Sequence, residues 1–360
     1  MMEWKLLRAA LEAGEKEELR QLLIEGALSG INSNRLLKTI SERAARLDLG
    51  GKPEPFCCTP DEKKRQRWRH LEERGYWTLT ILDDVYPELL LEIDAPPAVL
   101  FGVGEKKTLS LFSIAVIGVR KASDYGLRVG KLLTEQLSRE GICIVSGLAR
   151  GIDQAAHRAC LAQKGRTVAV LGSGIDRIYP PEHRGLALDI AQNGALISEF
   201  PPGVPPLAHH FIQRNRLLSG LSRGILVVEA MRRSGTMITT RFAAEQGRDV
   251  FAVPGNIDQP RSEGTNALIQ SGAKLVCGVD DMRCEYADWP KKRELTPESK
   301  MSLAELRVYD TLSQEPADFD KLRTLLSMDY GTLWQALTHL ELAGRICCTA
   351  LGIYVAHRQA

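Results

Sequence analysis

The sequence predicts an α/β fold: a doubly wound, mainly parallel sheet, flanked by a small N-terminal helical domain and a C-terminal winged-helix-like unit. The stretch Ser113 to Gly151, SIAVIGVRKASDYGLRVGKLLTEQLSREGICIVSGLARG, reads as strand, polar loop, helix, strand. From about residue 113 to 276, short apolar runs alternate with helical stripes, the pattern of parallel strands joined by helical crossovers. The runs are almost continuously apolar, as burial on both faces of a sheet requires.

Taken in order, residues 1–75 are charged and helix-periodic. Leu6, Leu7, Ala10 and Leu11, then Leu19, Leu22 and Leu23, form apolar stripes; Gly30 to Ser33 interrupts them and Leu36, Leu37 and Ile40 resume. This predicts a helical (SAM-like or HhH-like) domain. Lys52 to Arg69 is polar, Pro-containing and basic and reads as a surface segment or linker. The core domain is expected over 76–285. It opens with short apolar pieces around Tyr76-Trp77, Tyr86-Pro87 and Ala98–Phe101, read as lead-in strands at the sheet edge. The main strands are expected at Ile114–Ile117, Ile142–Val145, Thr167–Leu171, Ala195–Ser198, Gly224–Val228, Val250–Val253 and near Lys274–Val276. Helices are expected at Asp124–Arg139, where Leu127, Leu132, Leu133 and Leu137 recur at helical spacing, then at Asp153–Gln163, Glu182–Gln192, Thr236–Gln246 and Asn266–Gln270. A long loop is expected between the fourth and fifth of these strands. Residues 286–300 read as a linker. Residues 301–360 carry three helical stripes and a hairpin around Gly352, which suggests a winged helix.

Composition narrows the class. The 360 residues are 44% hydrophobic and 26% charged, as in a globular protein of two or three domains. The net charge of +2 announces no nucleic acid, but Leu111 to Asp280 holds 20 Lys and Arg against 14 Asp and Glu, a net of +6. The adjacent pairs Cys57-Cys58 and Cys347-Cys348 are not CxxC, and no His/Cys set has zinc-finger spacing. No apolar signal core opens the chain, and no run reaches the roughly 18 residues of a membrane span. A cytoplasmic chain with reduced thiols, no metal and no cofactor is therefore expected.

The chemistry is expected in the loops that follow the strands, because such loops converge on one crevice in a doubly wound sheet. They offer Gly118, Arg120, Lys121 and Ser123; Ser146, Gly147, Arg150, Gly151 and Asp153; Gly172 and Gly174; and Ser234, Gly235 and Thr236. Before the fifth strand lie His209, His210, Phe211, Arg214, Asn215 and Arg216. Glycine lets a backbone approach phosphate, hydroxyls and N–H groups donate to it, and arginine supplies a planar fork. Several of these residues also have structural readings: Asp153 as a helix cap, His157 as a packed helix residue, Arg214 and Arg216 as surface charges. His209-His210 lacks further ligands at metal spacing. Neither GxGxxG after the first strand nor GxxxxGK[ST] occurs, which argues against nicotinamide binding and a P-loop ATPase.

In family order, the segments IGVRKAS, SGLARGID, LGSGIDRIYP, LISEFPPG, FIQRNRLLSGLS, VVEAMRRSGTMITTRFAAEQGRDVFAVPG and GTNALIQSGAKLV resemble the bacterial DNA-processing protein A family (DprA, also called Smf). The resemblance implies an extended Rossmann-like core that binds single-stranded DNA, dimerises and helps load the recombinase RecA onto incoming DNA in natural transformation, with no established catalysis. It makes Arg120 a DNA contact, and aligns Ser146, Gly147, Gly151 and Asp153 with a second motif and Arg214, Asn215 and Arg216 with an RNR motif. Val119 stands where members usually carry Ser or Thr, and Arg184 is the nearest substitute for a lysine some members place after Tyr-Pro. The resemblance places the dimer contact near Asn266, Leu268 and Ile269.

Two readings follow. The first is a non-enzymatic single-strand binder held mainly by phosphate contacts, with Tyr125, Tyr179 and Phe211 as the available stacking rings. The second is a nucleotide-processing enzyme such as a phosphoribohydrolase, with Glu199 or Glu229 as its acid/base group. The third C-terminal helix has no Lys or Arg before Arg345, so duplex DNA and a protein are equal candidates for its partner.

Overall fold

The computed structural model of the chain describes residues 11, 13–48, 62–290, 302–342, 345–349 and 353–356. It divides into two compact units, Met1–Arg293 and Glu294–Ala360. The stripe Leu6 to Ala10, the pair Cys57-Cys58, most of the linker 286–300 and the wing residue Gly352 lie outside the described residues.

Among the described residues of the first unit, β1 (Tyr76–Thr80), β2 (Val99–Gly104), β3 (Ser113–Ile117), β4 (Cys143–Ser146), β5 (Thr167–Val170), β6 (Gly194–Ser198), β7 (Gly224–Val227), β8 (Asp249–Ala252) and β9 (Lys274–Leu275) form one sheet. Their order is β1-β2-β6-β5-β4-β3-β7-β8-β9. The strands β3 to β9 pair in parallel. The lead-in strands β1 and β2 add an antiparallel edge through β6. The chain steps outward from β3 to β6, then returns to place β7 on the other side of β3. That reversal between β3 and β7 is the topological switch point, where carboxyl-end loops diverge and leave a crevice.

Alternate residues of the central strands β3, β4 and β7 serve opposite cores. Ala115 and Ile117 of β3 face one core and Ile114 and Val116 the other. The helix Asp124–Arg139 covers the second face with Leu133 and Leu137, and the helix Ile152–Ala162 with Ile152, Ala156 and Cys160. The first face is covered by Leu186 and Ile190 of Arg184–Asn193 and by Leu217 and Leu218 of Ala208–Gly220. The N-terminal helices Ala13–Leu28, Ser33–Asp48 and Glu62–Glu72 add Leu23, Ile40 and Trp68 to that same core. Trp68 packs edge-on against Phe101 of β2, with ring centroids 5.1 Å apart.

The expected loop between the fourth and fifth main strands is instead the helix Ala208–Gly220. Its buried positions include His210, Arg214, Leu217 and Leu218. They recur at helical spacing, but two of them are a histidine and an arginine, so an apolar pattern does not reveal the helix.

In the second unit, the helices Leu303–Gln314, Phe319–Leu326 and Tyr330–Leu342 enclose Val308, Leu322, Leu333 and Leu337. The strands β10 (Ala317–Asp318), β11 (Ile346–Cys348) and β12 (Ile353–Ala356) lie antiparallel in the order β10-β12-β11. Three helices beside a small sheet make a winged helix. Ser302 and Glu305 form a reciprocal cap at its first helix, satisfying two backbone donors that would otherwise lack partners.

One buried histidine ties this fold to pH. His157 is fully enclosed, with Nδ1 2.7 Å from Thr167 Oγ1. Burial, helped by the charges of His183 and Arg214, pulls its pKa from 6.5 down to about 3. The unfolded chain takes up this proton below pH 6.5 and the folded chain does not until about pH 3. Stability from this residue is therefore complete above pH 6.5 and falls with acid, by at most about 1.4 kcal/mol per pH unit. His157→Asn removes the linkage, so thermal denaturation followed below pH 6.5 shows a shallower loss of stability than wild type. Equal slopes contradict the assignment.

Candidate functional site

A cavity of about 600 Å³ opens at the switch point. Its walls come from the loop after β3, the residues Ala149 and Asp153 after β4, the helix Ala208–Gly220, the start of the helix Gly235–Glu245, and Pro260 and Arg261 after β8.

Arg120 stands exposed at this crevice, its guanidinium 5.6 Å from the centroid of the Phe211 ring. A cation over an aromatic face is attracted by the ring quadrupole, so the arginine is steered while its donors stay available. Phe211 rests on Gly172, where a Cβ would come within 2.7 Å of the ring. Tyr179 lies beside it at 5.5 Å between centroids. Glycine at 172 thus sets the depth of the aromatic floor.

Arg214 is buried, and its guanidinium faces inward. It donates to the carbonyls of Gly147 (2.9 Å) and Val170, and to Asn215 Oδ1 at 3.3 Å. Burial lowers its pKa to about 10, against the pull of nearby Asp153, so it remains charged at neutral pH. Asp153 is also buried and accepts from the N–H groups of Gly147 (3.1 Å) and Ala149 (3.4 Å). Burial raises its pKa, opposed by Arg214, those two N–H groups and Arg120. Gly147 is therefore gripped at its carbonyl by Arg214 and at its N–H by Asp153, so the peptide groups on both sides of it are fixed. Asp153 braces the loop before its helix; the cap position itself is Gly151, at φ +77. A Cβ there would lie 2.3 Å from the Val119 oxygen, so only glycine joins the two loops this closely.

The other expected residues divide by location. Gly118, Lys121, Asn215, Ser234, Gly235 and Thr236 line the crevice with Arg120, Asp153, Phe211 and Arg214. Ser123 instead caps the helix Asp124–Arg139, accepting from the Gly126 N–H at 3.0 Å. Ser146 donates to the Val116 carbonyl at 2.7 Å, tying β4 to β3. Gly174 packs tightly on the Pro201 carbonyl. Arg150 pairs with Glu182 at the surface, and Arg184 is exposed at the start of Arg184–Asn193, outside the crevice wall. Arg216 meets both oxygens of Glu199 at 2.6 Å.

The helix Gly235–Glu245 presents its amino end to the crevice. No acidic side chain occupies its first turn, and the Ser234 hydroxyl has no hydrogen-bond partner. Free N–H groups and the positive end of the helix dipole suit an anion there. Arg233 and Arg261 also line the crevice, and Arg261 donates to the Lys121 carbonyl at 2.7 Å. Neither belongs to the site set drawn from the sequence. Their place in carboxyl-end loops was the available signal.

The carboxylates offered for an enzyme are committed elsewhere. Glu199 holds Arg216 and accepts from Ser33 at 2.7 Å. Glu229 accepts from the Ser123 N–H at 3.0 Å and from its hydroxyl. Neither lines the crevice. Among the described residues no cluster of His, Cys, Asp and Glu is placed to hold a metal ion, and no helix is long and apolar enough to cross a membrane.

Fold and site together define a doubly wound α/β protein with a crevice at its switch point lined by Arg120, Lys121, Arg233 and Arg261. The family model for DNA recombination-mediator protein A matches residues 77–287, and a DprA winged-helix model matches 292–350. The chain is 40% identical to protein Smf of Escherichia coli (strain K12) over 299 residues, 81% of this chain and 80% of that protein. It is 44% identical to the DNA processing protein DprA of Streptococcus pneumoniae over 215 residues, 60% of this chain and 76% of that one. The X-ray structure of a Streptococcus pneumoniae DprA superposes with a TM-score of 0.63 at 36% identity, covering 77% of this chain and 98% of that chain. A Helicobacter pylori DNA processing protein A, whose structure addresses its single-stranded DNA binding mode, superposes at 0.54 with 30% identity over 58% of this chain and 94% of that one. The chain belongs to the DNA recombination-mediator protein A (DprA/Smf) family.

Arg214→Met leaves the Gly147 and Val170 carbonyls and Asp153 without their partner. Loss of such a buried charged group costs about 3 kcal/mol, read as a lower urea midpoint. An unfolding free energy within about 0.5 kcal/mol of wild type contradicts the bracing role.

Proposed function

We propose that the chain is a non-enzymatic, cytoplasmic single-strand DNA-binding recombination mediator whose switch-point crevice holds backbone phosphates. The observation that carries this reading is Arg120: exposed, steered over Phe211 and without an ion pair among the described residues. Lys121, Arg233 and Arg261 stand around the same opening. These cations, together with the open helix terminus, suit a repeating anion and read no base edge. Tyr179 and Phe211 supply ring faces for an unpaired base. The Helicobacter pylori relative, a single-stranded DNA binder, supports the same ligand here. The engagement of Glu199 and Glu229 in structural bonds weighs against a nucleotide-processing enzyme.

Family membership supports two further parts of the reading. The bound strand is protected and handed to the recombinase RecA during transformation or recombination, and the protein acts as a homodimer. The dimer contact lies along the helix Glu263–Gln270. Leu268 and Ile269 are half-buried there, and Asn266 clamps Gly255 through both its amide atoms. Ile269→Glu converts a wild-type dimer to a monomer in sedimentation velocity. A monomeric wild type, or a dimeric variant, overturns that assignment.

Fluorescence anisotropy of labelled oligo-dT tests the crevice. Wild type binds with a log–log salt slope of about −3, from four phosphate contacts at about −0.7 each. Arg120→Glu collapses the affinity. No binding by wild type, or equal binding by the variant, refutes the proposal.

A further inference from the structure

We infer that a second groove, between the helices Asp124–Arg139 and Ile152–Ala162, carries the same DNA strand onward from the crevice. This rests on the proposed crevice and extends it. The groove has a volume of about 650 Å³ and shares Arg120 and Lys121 with the crevice. A strand gripped at those two residues can therefore continue on either side of them.

The groove is built for a polyanion. Its other cations are Lys131 on one helix and Arg158 on the facing one, and no Asp or Glu lines it. Arg158 is exposed and makes no ion pair among the described residues. Lys131 is 3.8 Å from Glu135 on its own helix, with its side chain 66% exposed, a pair of little strength in water. The helix Ile152–Ala162 presents Ala155, Ala159 and Ala162 to the groove, one face at helical spacing. Small side chains keep the floor low, so a chain of sugars and phosphates can lie between the two basic walls. Leu127, 38% exposed, supplies an apolar edge. Aromatic rings are absent from this lining, so the contact is to backbone rather than to stacked bases.

The test compares wild type with the double variant Lys131→Ala/Arg158→Ala, both exposed positions, on oligo-dT of about 6 and about 20 nucleotides. The variant binds the short strand like wild type. It binds the long strand about tenfold more weakly, with a salt slope smaller by about 1.4, the share of two phosphate contacts. Unchanged affinity and slope on the long strand overturn the inference, and if Arg120→Glu still abolishes binding, the crevice reading survives that result. Equal losses on both lengths also overturn it, because the groove is then not a separate extension. Failure of wild type to bind either strand refutes the crevice reading itself.

Discussion

Gly147 is held at its carbonyl by buried Arg214 and at its N–H by buried Asp153, and the crevice depends on that grip. Burying a guanidinium and a carboxylate is costly unless their bonds are made. Here the loop after β4 and the end of β5 make them. The same arrangement fixes the helix Ala208–Gly220 against the sheet, because Arg214 projects from it. Phe211, one turn earlier, is thereby set over Gly172, and Arg120 over Phe211. Each step places the next residue closer to solvent. A rigid interior clamp ends in an exposed cation.

The arginines of this protein therefore divide by role. Arg214 and Arg216 spend their charge on the protein, on backbone carbonyls and on Glu199. Arg120, Lys121, Arg233 and Arg261 face the crevice. Interior cations shape the loops, and rim cations keep charge for a ligand. Glu229 belongs with the interior set: through Ser123 it anchors the loop that carries Arg120. A polyanion bound at the rim would replace water without disturbing the clamp.

Much of the fold was legible in the sequence, for a physical reason. Parallel strands buried on both faces must be apolar throughout, so Ile114–Ile117 and Thr167–Val170 announce themselves. The helix Asp124–Arg139 was legible from its leucine spacing, whereas the Ser123 cap was not. The helix Ala208–Gly220 was not, because His210 and Arg214 occupy its buried positions. The glycine loops and Arg120 were visible as a crevice-forming set. What sequence could not show was which polar groups turn inward. Ser146 donating to Val116, or Arg216 closed onto Glu199, depends on side-chain direction across strands far apart in the chain. Arg261, brought to the crevice by its bond to the Lys121 carbonyl, is hidden for the same reason.

The most direct measurement of the central claim is hydrogen–deuterium exchange of the full chain with and without excess oligo-dT. If phosphates are held at the switch point, protection appears in the loop Gly118–Ser123 and at the amino end of the helix Gly235–Glu245, whose first N–H groups face the crevice. Protection confined to the winged-helix unit, with those two segments exchanging as in the free protein, would place the DNA elsewhere and contradict the account.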